Sequence, residues 1–457
     1  MHIQADRVLI PAGSPVVRYV SITVSAPERP RGPAPNRGSD AAAQAGDGPP
    51  ARAGAEVALV LDRSGSMDGE KIRMARLAVE HAVRLLDSRD HLAVVIYDNE
   101  VETLLGRTRA SGEAKRMVLR RLARADARGG TNLSGGWLAG ADEVRPGPLT
   151  DPPGAGAAPT ARRVLLVTDG LANGGIVDPD ALAAEAARLR AEGVSTSTFG
   201  VGADFDEVLL ERLASTGGGH FYYIETARQI PDYLASELGE TLDVMCQDVV
   251  LTLAPGPGVE VTVLNGFATD SVDGVSRVRL GDLVAGQEVQ VVLALSFEPQ
   301  RLAREVHVDC SVSEAGADGG RMSLRTTPAA APGVAPLPMR VTWRAVTPGE
   351  NDRQSVNRDV LVAAAELLAE RGRATALAAN REGRYDEAAR VLGEIATQLQ
   401  AIANDDPRVT ALVDGLRADE REFAAAMNPA MLKSRHFAAH RVAYSRTESG
   451  RARKREP

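Results

Sequence analysis

The sequence predicts an α/β protein in which a doubly wound, mostly parallel sheet domain is inserted into a β-sandwich and followed by an α-helical region. Three observations carry that expectation. Residues 55–240 alternate apolar strand-like runs with helical periods, residues 245–345 hold short strands at regular spacing, and one isolated strand precedes both. A βαβα order calls for a parallel sheet with helices on both faces. Short strands separated by turn residues call for a sandwich.

The elements follow in order. Residues 16–25 are rich in β-branched side chains and read as a strand. A lone strand cannot bury its faces, so residues 1–25 are expected to join the later β-domain. Residues 26–54 are dense in Pro, Gly, Ala and Arg without an apolar period, which predicts a flexible linker. In the α/β domain, strands are expected at 56–62, 91–97, 163–169, 194–201 and 219–224, and helices at 70–88, 112–124, 133–144, 178–191, 206–215 and 228–238. A Pro/Gly/Ala insertion at 145–160 reads as a surface loop. The sandwich, 241–345, is expected to use strands at 249–253, 259–264, 275–280, 288–295 and 305–312. Residues 355–428 carry three helical periods, and 382–389 has the look of a tetratricopeptide-type turn without a second copy. A basic tail, 429–457, ends the chain, and a solvated, partly disordered terminus is expected there.

Composition narrows the function. The 457 residues suggest two to four domains at about 100–200 residues each. Lys and Arg number 53 against 61 Asp and Glu, a net charge of −8, which disfavours an overall nucleic-acid binder. Only four lysines are present, at 71, 115, 433 and 454. Two cysteines exclude a disulfide scaffold and a four-cysteine zinc site, and Cys246 and Cys310 read as buried free thiols. No secretion-type leader and no uncharged apolar stretch of about 18 residues is evident, so a cytoplasmic protein without a membrane span is expected.

The chemistry concentrates at Asp62-Arg-Ser64-Gly-Ser66, directly after a buried strand. Alternate positions of a tight loop point the same way, and Gly65 lets the backbone turn between them. Thr131 lies in a glycine-hinged loop opening a helix, and Asp169 ends another strand. Ligands of open parallel sheets sit beyond the carboxyl ends of the strands, so these loops should converge on one crevice. Two carboxylates with hydroxyls, and no Cys or His, form a hard oxygen site. That favours Mg²⁺, with Mn²⁺ or Ca²⁺ as alternatives, over zinc.

On these residues, the stretch of roughly 54–240 resembles the von Willebrand factor type A domain, a Rossmann-like fold. Asp62, Ser64 and Ser66 match the family's Asp-x-Ser-x-Ser, and Thr131 and Asp169 match the two remote members of its metal-ion-dependent adhesion site. Residues 199–204 and 217–222 also look like the later part of that domain, and the whole layout is similar to bacterial cytoplasmic members. The resemblance implies that Ser64, Ser66 and Thr131 coordinate the metal through hydroxyls, and that Asp62 and Asp169 act directly or through water. It also implies an acidic side chain of a partner protein completing the shell, on a non-enzymatic scaffold. A second expectation by resemblance is a regulatory subunit of an AAA+ ATPase machine of MoxR or chelatase type. A metal-dependent hydrolase is a third.

Competing signals are weaker. Gly200-Val-Gly202-Ala-Asp-Phe205 is half a dinucleotide fingerprint with its third glycine replaced, and reads as a loop. Ser64 lacks a nucleophile elbow, because Asp62 occupies its first glycine position. His436 and His440 stand four apart but would need a third zinc ligand. Asp90 reads as a turn residue and Trp137 as core.

Overall fold

The computed structural model describes residues 1–29, 54–146, 160–315, 321–323, 338–402 and 406–455. The expected linker at 26–54 and the expected loop at 145–160 fall almost wholly outside these residues.

The α/β domain is built on a six-stranded sheet in the order Val101–Arg109, His91–Tyr97, Ala55–Asp62, Ala161–Thr168, Val194–Val201, Gly218–Ile224. Every pairing is parallel except that of Val101–Arg109 with His91–Tyr97, which is antiparallel. All eight residues of Ala55–Asp62 are buried. This matches the continuous apolar run of a central strand covered on both faces. The strand Val101–Arg109 was not anticipated from sequence. It is an edge strand with a half-exposed, charge-rich face and a glycine at 106, so its apolar period is weak.

Helices Glu70–Leu85, Gly112–Leu122, Leu133–Val144, Pro179–Ala191, Glu207–Thr216 and Ile230–Leu242 flank the sheet. Four begin on side-chain caps, from Ser111, Asn132, Asp178 and Asp206, each satisfying an otherwise orphaned amide. Leu133–Val144 lies tightly on the sheet because its inner face is glycine. A methyl at Gly140 would stand 2.3 Å from Val60 Cγ2, and one at Gly136 would stand 2.3 Å from the Tyr97 ring.

The sandwich pairs two antiparallel sheets. One runs His2–Ala5, Val16–Ser25, Glu288–Phe297, Val259–Val263. The other runs Thr269–Val272, Val275–Val284, Val244–Pro255, Glu305–Ala315, Met339–Val346, with Leu9–Pro11 added in parallel at its edge. The N-terminal segment thus supplies three strands, two more than expected, and feeds both sheets. His2–Ala5 and Leu9–Pro11 are four and three residues long, too short to show a period by themselves. Val16–Ser25 is fully paired along Glu288–Phe297, so the α/β domain is inserted between two parts of one β-unit.

Arg358–Arg381, Tyr385–Ile402 and Pro407–Phe423 pack on one another around Leu392, Leu399, Leu416 and Phe423. The C-terminal segment departs from the expected solvated tail. Pro429–Ala443 is a helix whose Phe437 joins the core of the α/β domain. Beyond it, Arg446 is buried at 5 % exposure, and the Arg453 carbonyl accepts from the Glu288 amide at 2.8 Å. Its positive charges find buried carboxylates, and that pairing docks it.

Candidate metal centre

The crevice lies where the chain reverses direction across the sheet, between Ala55–Asp62 and Ala161–Thr168. Leu61 stands opposite Val167 in the parallel register, so both strands deliver an aspartate to the same edge. Asp62 and Asp169 are each 0 % exposed.

The loop after Asp62 folds back on it. The Ser64 amide donates to Asp62 Oδ1 at 2.7 Å, and the Thr168 hydroxyl donates to Asp62 Oδ2 at 2.6 Å. The Ser64 and Ser66 hydroxyls stand 3.1 Å apart, and Ser66 Oγ donates to Asp169 Oδ1 at 2.7 Å. Backbone bonds tie this loop to the glycine-hinged one: the Gly65 amide to the Gly129 carbonyl at 3.0 Å, and the Arg128 amide to the Arg63 carbonyl at 2.7 Å. Thr131 comes to the same place. A methyl at Gly170 would stand 3.1 Å from Thr131 Oγ1 and 3.8 Å from Asp62 Oδ2. The structure therefore brings Asp62, Ser64, Ser66, Thr131 and Asp169 into one cluster of oxygens.

The electrostatics are those of a dry carboxylate pair. Burial pushes the Asp62 carboxyl up to about 6, against the bonds from Thr168 and Ser64, with the Asp169 charge adding to the rise. Beneath the loop, Arg63 is 5 % exposed and its Nε donates to Asp98 Oδ2 at 2.9 Å, with Arg128 Nε on the same oxygen at 2.8 Å. Burial raises the Asp98 carboxyl. The bonds from Arg128 and the Glu100 amide, with the Arg63 charge, more than reverse that and hold it below its ordinary value. This pairing anchors the residue between Asp62 and Ser64.

Sequence reasoning missed three participants: Thr168, the Arg63–Asp98 anchor, and Lys71. The Lys71 ammonium pairs with Asp169 Oδ2 and donates to the Ser66 carbonyl at 3.3 Å. Thr168 and Asp98 could have been suspected from their places at strand ends. Lys71 had no such signal.

The donor set suits a hard divalent cation. Each bonded carboxylate oxygen keeps a second lone pair, the hydroxyls can accept, and no sulfur or imidazole takes part in the cluster. A second grouping, His220, Glu237 and Glu240, brings ligand atoms within 4.8 Å of one another. Guanidinium groups fill it: Arg163 Nη1 lies 2.7 Å from Glu237, and Arg446 reaches Glu240 at 2.8 Å and His220 Nε2 at 2.9 Å. His436 Nε2 and His440 Nδ1 converge on Glu211 at 2.5 and 2.9 Å, which docks the C-terminal helix onto Glu207–Thr216. At Gly200 a methyl would stand 2.3 Å from the Phe205 ring, so that half-fingerprint is closed by packing. Among the described residues, no helix is long and apolar enough to cross a membrane.

An open doubly wound sheet with an oxygen cluster at its switch point defines a class of α/β binding domain. The chain matches the von Willebrand factor type A domain over residues 56–236, and this part of it is such a domain. Uncharacterized protein YfbK of Escherichia coli K12 is 28 % identical over 258 residues, 54 % of this chain, which in turn covers 42 % of YfbK. Among solved structures, a von Willebrand factor type A protein from Catenulispora acidiphila superposes with a TM-score of 0.63 at 18 % identity, covering 90 % of this chain and 88 % of that one. The ArnB paralog VWA2 from Sulfolobus acidocaldarius gives 0.52 at 16 % identity, covering 93 % and 99 %. At these identities the likeness is one of fold, and it extends beyond the α/β domain to most of the chain.

Proposed function

We propose that the chain is a non-catalytic, metal-dependent protein-binding module that recognises an acidic side chain of a partner through Mg²⁺ at a metal-ion-dependent adhesion site. The observation that carries this reading is the convergence of Asp62, Ser64, Ser66, Thr131 and Asp169 from three separate segments. The hydroxyls of Ser64, Ser66 and Thr131 would hold the ion, with Asp62 and Asp169 acting directly or through water. Magnesium prefers about six oxygen ligands, which leaves room for a carboxylate from outside. The buried free thiols Cys246 and Cys310 are in keeping with a reducing cytoplasm.

The test is affinity capture from the native host with Mg²⁺ or with EDTA, using the wild type and a Asp62→Ala/Ser64→Ala variant. Capture of a specific partner that is lost with EDTA and lost in the variant supports the reading. Equal capture in all arms overturns it. Recovery of an AAA+ ATPase as the metal-dependent partner would assign the module to such a machine.

A further inference from the structure

One contact at the oxygen cluster has no counterpart in the five residues that define it. Asp169 has both carboxylate oxygens engaged, Oδ1 by the Ser66 hydroxyl and Oδ2 by the Lys71 ammonium. Lys71 is one of only four lysines in the chain. It stands in the first turn of Glu70–Leu85, and its tail runs along the backbone at Gly202, where a side chain would meet Lys71 Cε at 3.6 Å and Nζ at 3.7 Å. Asp169 is wholly buried, whereas the Lys71 side chain is 26 % exposed. The other cations described close to the loop are already taken: Arg63 by Asp98 and Glu102, at 2.9 and 3.0 Å, and Arg128 by Asp98 and Glu100, at 2.8 and 3.3 Å. Lys71 is thus the charge that the structure sets against the site itself.

We infer that Lys71 sets the charge of the loaded site and thereby its preference for an anionic partner group. The inference rests on the metal reading above. Two ionised carboxylates would neutralise a divalent cation, and such a site has no net charge with which to draw in an external carboxylate. With Lys71 paired to Asp169, the same site carries one net positive charge when loaded. The lysine therefore weakens cation binding by Coulomb repulsion and strengthens capture of an anion by the bound cation, because charges a few Å apart in a poorly solvated crevice interact strongly. Lys71 is a specificity-determining residue, and its removal should move the two affinities in opposite directions.

The experiment titrates Mn²⁺ into the full-length protein and follows the free ion by electron paramagnetic resonance. Wild type, Lys71→Met, Lys71→Gln and Lys71→Arg are compared, with and without acetate at matched ionic strength. Lys71→Met and Lys71→Gln are expected to bind Mn²⁺ about tenfold more tightly than wild type, and Lys71→Arg within about threefold of it. Acetate is expected to tighten Mn²⁺ binding in wild type and Lys71→Arg, and to do so severalfold less in the two neutral variants. Binding by the neutral variants alone also supports the inference. Equal Mn²⁺ affinity in wild type and both neutral variants, or an equal acetate effect, overturns it while leaving the metal reading intact. No Mn²⁺ binding by any form removes the metal reading itself, and this inference with it.

Discussion

Asp6 illustrates how one residue can make stability depend on pH. It sits in the turn between two N-terminal strands, 5 % exposed, with the Tyr19 amide on its Oδ1 at 3.0 Å. Burial raises its carboxyl to about 6, against that bond and the Arg18 charge. A carboxyl whose folded value lies above its unfolded one favours the fold when protonated. Its contribution is complete below the ordinary value of 3.8 and is lost as the pH rises through about 6. Asp6→Asn keeps the acceptor without the charge. Thermal melts should therefore show no gain for the variant at pH 4 and a gain of about 1–3 kcal/mol at pH 8. A gain independent of pH would refute this account. At the same scale, the five clustered oxygens were legible in the sequence because each lies in a short local pattern, at or just after a strand end for Asp62, Ser64, Ser66 and Asp169 and in the glycine-hinged loop before a helix for Thr131. Lys71 was not, because what it does depends on the direction of its side chain across a crevice, and no local pattern encodes that.

At the scale of elements, the helix Leu133–Val144 was readable at both ends, where Asn132 caps it and Val144 closes its apolar face. Its closeness to the sheet was not readable, because a glycine gives no hydrophobic signal. Gly140→Ala should cost about 1–3 kcal/mol in urea unfolding, because the new methyl would meet Val60 Cγ2 at 2.3 Å and the core cannot yield freely. An unchanged midpoint would mean that the sheet accommodates it. The C-terminal segment gives the opposite lesson. Its eight basic residues suggested a solvated terminus, yet Arg446 donates to Glu240 at 2.8 Å and to Tyr222 Oη at 3.1 Å, and Lys433 donates to the Phe205 carbonyl at 2.7 Å. Arg446→Ala leaves Glu240 buried without its guanidinium partner. It is expected to destabilise the protein by about 3–5 kcal/mol, and limited proteolysis should then cleave first within residues 444–455. Cleavage elsewhere would show that the segment is held by other contacts.

At the scale of the whole molecule, the domains share buried charge. Arg163, on a central strand of the α/β domain, donates to Glu237 at 2.7 Å and to Asp282 of the sandwich at 3.0 Å. Phe437 of the C-terminal helix completes the α/β core. The α/β domain is accordingly expected to be less stable alone. Residues 54–243 expressed separately should unfold at lower urea than the same domain in the full chain, followed through Trp137 in a Trp343→Phe background. The chain has only these two tryptophans, one in each domain, so the reporter is unambiguous. Coincident midpoints would show that the domains contribute nothing to each other.

Local patterns along the chain were enough to anticipate most of the periodic elements, the insertion of a parallel α/β domain into a β-unit, and which oxygens would cluster. Those features rest on local patterns: strand and helix periods, caps, and polar residues at strand ends and in a glycine-hinged loop before a helix. Long-range packing was needed to set Val101–Arg109 as an antiparallel edge of the sheet, to feed the N-terminal segment into two sheets, to dock the basic tail, and to turn a lysine toward Asp169. Each of these is a pairing between groups far apart in sequence. A charge or a short strand carries no address for its partner, and the partner is chosen by which faces the packed core leaves together.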